Sequence, residues 1–305
     1  MTAAARSRIE TLAREILEHD RRYYAEDRPS ISDAAYDKLM RELGKLEEEH
    51  PQYRLPDSPT LRVSGALRAG FKKVRHARPM LSLDSLMSED EVREFDARVR
   101  KSLDSDEGLF AETVIYVAEP KFDGLSIELV YEDGVLVRAS TRGDGELGED
   151  VTANMRTLRA VPLRLAAQGP KGGERGTVAI RGEAIMPLSA FAALNQRLIQ
   201  ANEEPFAAAR SAAAGTVRQL DPAITASRRL DFYAYEVMSA GAAAFESQQD
   251  MLSALRGWGF HVDRDVKVCR GIEDALLFHA RLGEKRDALD FEVDGAVIKV
   301  YRRSS

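Results

Sequence analysis

Lys121 is the residue whose type and position most directly suggest catalytic chemistry in this sequence of 305 residues. It follows an apolar run of strand type and lies two residues before Asp123, which precedes a glycine. A primary amine at a rigid strand end can attack phosphorus if nearby cations or burial lower its pKa enough to leave it neutral. The same pattern fits a surface lysine in a tight turn, so alone it only suggests this chemistry.

Three further residues have matching chemistry. Arg142 lies in Thr-Arg-Gly-Asp-Gly at 141–145, a glycine-rich loop suited to a close approach to phosphate or ribose. Glu183 ends Arg-Gly-Glu within a predicted strand, where a glycine is unfavourable unless something must come close, and it is a candidate acceptor for hydroxyl groups. Lys299 ends a later apolar strand, where a solvated lysine is an equally good interpretation.

The elements that must position these residues fall into two regions. Apolar residues recur at helical spacing over Ile9–Ile16 and Tyr36–Leu46, and residues 51–70 are rich in Pro, Ser, Gly and Arg, which indicates a linker. After it, the pattern predicts strands at 114–118, 125–131, 135–141, 178–186, 230–237 and 291–301, and helices at 188–200, 245–258 and 272–282. Because strands and helices do not alternate regularly, we expect an α+β fold with largely antiparallel sheets.

Composition narrows the class of protein. Lys and Arg number 44 against 50 Asp and Glu, which gives a net charge of −6 and argues against tight, non-specific nucleic-acid binding by this chain alone. A single cysteine, Cys269, excludes an internal disulfide and a multi-cysteine zinc site within the sequence. No apolar run approaches a membrane span, and the first ten residues do not resemble a secretory signal. We therefore expect a cytoplasmic protein.

Four motifs, in order, carry a resemblance to a known family. They are Lys-x-Asp-Gly at 121–124, Thr-Arg-Gly-Asp-Gly at 141–145, Arg-Gly-Glu at 181–183 and Asp-Gly-x-Val-Ile-Lys at 294–299. Further matches lie at 33–37, 79–83 and 212–222, so the resemblance covers the whole chain. The sequence resembles the NAD-dependent DNA ligases of bacteria. This implies a small all-α domain for nicotinamide mononucleotide (NMN) at 1–68 and a nucleotidyltransferase domain (ATP-grasp-like/ligase) for adenylation at 69–305.

The resemblance implies a role for each matching residue. Lys121 would attack the α-phosphorus of NAD, form a lysyl-AMP phosphoramidate and release NMN, while Asp123 would orient or deprotonate the lysine. Glu119 would face the exocyclic amine of adenine, and Tyr235 would stack on the ring. Lys299 would contact the adenine or the reacting phosphate, and its charge would help to lower the pKa of Lys121.

The remaining implied roles concern the two riboses and the nicotinamide. Arg142 and Glu183 would hold the ribose hydroxyls of AMP, and Ser82 and Leu83 would border the same pocket. Aromatic and acidic side chains suit the positively charged nicotinamide ring. The implied NMN site consists of Tyr23, Tyr24, Asp33, Tyr36 and Asp37.

The resemblance also sets the expected cofactors and partners. We expect NAD and Mg²⁺, no metal site in this chain, and zinc only in the C-terminal region of the parent protein. The full-length family seals nicks in duplex DNA during replication and repair, so we expect weak DNA binding by this N-terminal fragment, a monomer. One departure concerns 208–211, where Ala-Ala-Arg-Ser replaces the usual Asn-Pro-Arg-Asn; Arg210 and Arg218, which meet DNA phosphates in the family, remain.

Two other functions stay open at this point. A nucleotidyltransferase using ATP or GTP shares the Lys-x-Asp-Gly chemistry, but it would not require the helical region that carries Tyr23–Asp37. A nucleotide-binding or DNA-tethering module without turnover would not need Lys121, Asp123 and Lys299 intact.

Overall fold

The computed structural model describes residues 2–24, 30–62, 70–104, 113–166, 176–238 and 245–302. The helices in these ranges are α1 (Thr2–Tyr24), α2 (Asp33–Glu49), α3 (Glu89–Asp104), α4 (Thr152–Thr157), α5 (Leu188–Gln200), α6 (Ala209–Val217), α7 (Pro222–Ala226), α8 (Gln248–Gly257) and α9 (Ile272–Lys285). The strands are β1 (Lys73–Arg75), β2 (Ile115–Phe122), β3 (Leu125–Glu132), β4 (Val135–Thr141), β5 (Leu147–Glu149), β6 (Thr177–Ile185), β7 (Asp231–Val237), β8 (Lys267–Arg270) and β9 (Val293–Val300).

The N-terminal region is a pair of packed helices. The apolar stripe of α1 is fully buried at Ile9, Leu12 and Ile16, and it packs with Leu43 of α2. Ser32 caps α2, because its Oγ accepts a hydrogen bond from the backbone N–H of Ala35. The helical periodicity of the sequence therefore identified this pair correctly.

After the helical pair, the part of the chain that the structure describes contains two larger antiparallel sheets together with helices α3–α9. One has the strand order β8-β2-β9, and the other has the order β4-β3-β6-β7. A short ribbon pairs β1 with β5. The larger core surrounds the four-stranded sheet and includes Trp258 and Phe260, while a second core lies between β2 and α9. The expected α+β fold with antiparallel sheets, preceded by helices, is confirmed.

The chain passes from one sheet to the other immediately after Lys121. β2 ends at Phe122, and β3 begins at Leu125 in the neighbouring sheet. Gly124 is required at the crossing, because a Cβ there would collide with the backbone carbonyl oxygen of Ala184. The lysine is therefore fixed at the junction of the two sheets.

The predicted linker at 51–70 differs from the structure over residues 51–62. Glu47 of α2 is buried and accepts a hydrogen bond from Ser58 Oγ at 2.5 Å. Arg62 is also buried, and its guanidinium donates to the carbonyl oxygen of Val161 at 3.2 Å. These residues form short 3-10 turns fixed by long-range hydrogen bonds rather than a free connection; residues 63–69 lie outside the described ranges.

Candidate active site

Lys121 lies opposite Gly295 of β9, and its ammonium group forms an ion pair with the Asp294 carboxylate. The lysine side chain is 43% exposed, so a ligand can reach it. The hydrogen bond and the charge of Lys121 both lower the pKa of Asp294. Only the neutral form of a primary amine has the free electron pair that a nucleophile needs.

Asp123 stands at the sheet crossing beside this pair. Its backbone N–H donates to the carbonyl oxygen of Glu292 at 3.0 Å, which ties the crossing to the start of β9. Its carboxylate accepts a hydrogen bond from Arg210 at 3.2 Å. The structure therefore brings Asp123 and Asp294 to the same end of the sheet as Lys121, with Asp294 in direct contact with the amine.

Glu183 lies opposite Ser126 across the β3–β6 pair, in the sheet adjoining Lys121. Burial raises the pKa of Glu183 to about 7, partly opposed by a hydrogen bond from Ser126 and by the charge of Arg210. Ser126 Oγ also lies 2.8 Å from the hydroxyl oxygen of Tyr235, and burial raises the pKa of that phenol. The Glu183 carboxyl can therefore exchange a proton near neutral pH.

The glycine within Arg-Gly-Glu has a structural cause. A Cβ at Gly182 would collide with the Phe232 ring and with the backbone carbonyl oxygen of Tyr233. The close approach that the sequence predicted is therefore made by strand β7, and it leaves Glu183 facing the junction of the sheets.

Glu119 is 5% exposed and has two donors on its carboxylate. Lys299 donates to it at 3.0 Å from the facing strand β9. Gln248, the first residue of α8, donates at 2.8 Å. The Lys299 ammonium also lies 5.6 Å from the centre of the Tyr235 ring, so these residues share one side of the site.

A second pair of candidate site residues in contact is Arg142 and Ser82. The Arg142 guanidinium donates to Ser82 Oγ at 2.6 Å, and Leu83 beside it is 64% exposed. The loop that carries Arg142 rests on His76, whose Nε2 lies 3.0 Å from the Arg142 carbonyl oxygen. His76 Nδ1 lies 3.1 Å from the buried carboxylate of Glu128.

The residues expected at the NMN site lie on α1 and α2 of the helical pair. The Tyr36 hydroxyl donates to Asp20 at 2.9 Å, and the Arg159 guanidinium lies 4.5 Å above its ring. Tyr23 is 48% exposed, and Asp37 is also exposed. The side chains of Tyr24 and Asp33 lie outside the described residues.

Sequence reasoning missed several residues of this site. Asp294 lies in the last motif, and its contact with Lys121 follows from the pairing of β2 with β9. Ser126 is a half-buried residue near the start of β3, and the sequence does not distinguish a serine that faces a ligand from one that faces solvent. No signal in the sequence identifies Gln248, because it lies 129 residues from Glu119.

Two features bear on metals and membranes. Among the described residues, no group of three or more His, Cys, Asp or Glu side chains is arranged to bind a metal ion. Within the same ranges, no helix has both the length and the apolar character that crossing a bilayer requires.

Two family models together match nearly the whole chain. The family model described as the NAD-dependent DNA ligase adenylation domain matches residues 68–304. The model described as the DNA ligase-like, N-terminal NAD+-binding domain matches residues 2–64.

Curated relatives named DNA ligase match almost the whole chain. The protein from Alkalilimnicola ehrlichii is 50% identical over 295 residues, which are 96% of this chain and 42% of the relative. The protein from Syntrophobacter fumaroxidans is 50% identical over 296 residues, which are 97% of this chain and 43% of the relative. This chain therefore spans less than half the length of these relatives.

Proposed function

The chain belongs to the family of NAD-dependent DNA ligases, and from this membership we propose that it transfers AMP from NAD to Lys121. The observation that carries the proposal is the position of Lys121, exposed at the sheet junction and in contact with Asp294. Glu183, Glu119 and Lys299 lie on the elements around the junction, where they would bind the nucleotide.

In the proposed step, the neutral amine of Lys121 donates its electron pair to the α-phosphorus of NAD. A nitrogen–phosphorus bond forms, the bond from phosphorus to the bridging oxygen breaks, and NMN leaves with that oxygen. The amine loses a proton to a carboxylate. Asp294 holds the ammonium in the resting state, and Asp123 lies at the crossing beside it, so these two residues are the candidates for orienting and deprotonating the lysine.

The AMP part of NAD would lie between the two sheets. Glu119 accepts from the adenine amine, and Tyr235 presents its ring to the base. Arg142 and Glu183 bind the ribose hydroxyls. Ser82 and Leu83 border the pocket, and Lys299, now paired with Glu119, would bind the adenine or the reacting phosphate.

The NMN part would be bound by the helical domain at 1–68, through the ring of Tyr36 with Tyr23, Tyr24, Asp33 and Asp37. In the described arrangement Arg159 lies over the ring of Tyr36. Binding of nicotinamide would therefore require the helices to move relative to the adenylation domain at 69–305. The positively charged nicotinamide ring would then replace the Arg159 guanidinium over the Tyr36 ring.

The whole parent protein would use this step to seal nicks in duplex DNA in replication and repair, acting as a monomer in the cytoplasm. Mg²⁺ is expected, although the described residues do not form a cage for it. Magnesium is commonly bound through one or two carboxylates together with substrate phosphates, so it would enter with the pyrophosphate of NAD. The step above is assigned to the residues of this chain alone.

Release of NMN from NAD tests the proposal. The chain should release one equivalent of NMN in a single turnover, and Lys121→Arg should release none, because guanidinium stays protonated. Release by Lys121→Arg at the unaltered rate would show that the nucleophile is another residue.

A further inference from the structure

Gln248 is almost completely buried, at 2% exposure, and its side-chain N–H group donates to Glu119 Oε1 at 2.8 Å. We propose that Gln248 is a positioning residue for adenine recognition, because it sets the Glu119 carboxylate in the orientation that accepts the exocyclic amine. This inference rests on the proposed role of Glu119 in the AMP site.

The backbone at Gln248 is fixed by contacts between the start of α8 and the residues just after β9. Its backbone N–H donates to the carbonyl oxygen of Tyr301, just after β9, at 2.8 Å. The preceding residue, Ser247, caps α8 by accepting the N–H of Asp250 and forms an isolated bridge with Arg302. The start of α8 is therefore attached to the end of β9, and Gln248 is held towards β2.

The two donors on Glu119 differ in chemistry. Lys299 is a cation, and the proposed function also assigns it to binding the nucleotide. Gln248 is neutral and is buried at the first position of α8. A carboxylate has several lone pairs and rotates freely unless donors fix its plane. Lys299 lies 3.0 Å from both carboxylate oxygens of Glu119, whereas Gln248 donates to Oε1. Gln248 therefore keeps Oε1 engaged when Lys299 turns to the nucleotide, and Oε2 is then left for a ligand donor.

A fixed Glu119 carboxylate should favour adenine over hypoxanthine. A carboxylate accepts hydrogen bonds but does not donate them, so it binds the amine of adenine and repels the carbonyl oxygen of hypoxanthine. Discrimination of this kind depends on a fixed acceptor, because a carboxylate that can turn away loses both the attraction and the repulsion. Loss of Gln248 should therefore relax the choice between the two bases.

The test compares NAD with nicotinamide hypoxanthine dinucleotide, in which a carbonyl replaces the adenine amine. The measured quantity is the ratio of kcat/KM values for NMN release from the two dinucleotides by one preparation of protein, so any unfolded fraction cancels. The wild-type chain should prefer NAD by about tenfold or more. Gln248→Met removes the donor at similar length and should lower this preference by about tenfold.

The neighbouring Gln249, which is exposed, provides the matched control. Gln249→Met should keep the wild-type preference, and Glu119→Gln should abolish it. An unchanged preference in Gln248→Met, with a clear preference in the wild type, would overturn the positioning role alone. An equal loss in both methionine variants would also overturn it, since the effect would belong to α8 in general. No preference in the wild type, or none lost in Glu119→Gln, would instead overturn the proposed role of Glu119.

Discussion

Replacing Glu183 by Gln should stabilise the folded chain at high pH and not at low pH. Burial raises the pKa of this carboxyl from 4.5 to about 7. Between these values the folded state binds more protons than the unfolded state, so stability falls as the pH rises from about 4.5 to 7. At about 1.4 kcal/mol per pKa unit, ionised Glu183 costs up to about 3 kcal/mol above pH 7.

Urea unfolding of the wild type and of Glu183→Gln at a series of pH values measures this cost. The two free energies of unfolding should be similar near pH 4 and diverge above pH 5, with the variant about 2 to 3 kcal/mol more stable at pH 8. The exposed Glu284 on α9 provides a control, because Glu284→Gln should show no such pH-dependent gain. A difference between wild type and Glu183→Gln that is equal at pH 5 and pH 8 would show that ionisation of Glu183 does not destabilise the fold.

Three other substitutions test separate parts of the site and fold. Asp294→Asn should slow formation of lysyl-AMP by about 10²-fold in a single-turnover assay, and a rate within twofold of wild type would contradict its proposed role in orienting or deprotonating the lysine. Arg159→Ala should lower KM for NAD by about two- to fivefold, because it frees the Tyr36 ring, and a raised KM would count against that account. Gly182→Ala should cost about 1 to 3 kcal/mol in urea unfolding, through its collision with Phe232, and an unchanged midpoint would show that the strands adjust.

The sequence predicted the elements with strong periodicity well. Alternation over 125–131 identified β3, and the predicted helix at 188–200 coincides with α5. Helix α3 was missed because its apolar stripe of Val92, Phe95 and Val99 is thin and only partly buried, although its acidic first turn is typical of a helix start. The strands β1 and β5 were also missed, since each has three residues and depends on pairing with the other.

The residues proposed for the site are suggested by the sequence where their type and motif indicate nucleotide chemistry, and not where a tertiary contact creates their role. Lys121, Asp123 and Glu183 stand in short motifs with residue types suited to nucleotide chemistry. Asp294 also stands in a motif, but it is 173 residues from Lys121, and its contact with the lysine arises only from the pairing of β2 with β9. The position of the Arg159 guanidinium over the Tyr36 ring likewise depends on how the helical pair packs, which the periodicity of the sequence does not encode.

Intact-protein mass spectrometry after incubation with NAD and Mg²⁺, beside a parallel sample with ATP, tests whether Lys121 accepts AMP from NAD. We expect a gain of one AMP with NAD only, located on the peptide that contains Lys121 and absent from Lys121→Ala. A gain with ATP instead of NAD, or an adduct that persists in Lys121→Ala, would contradict it.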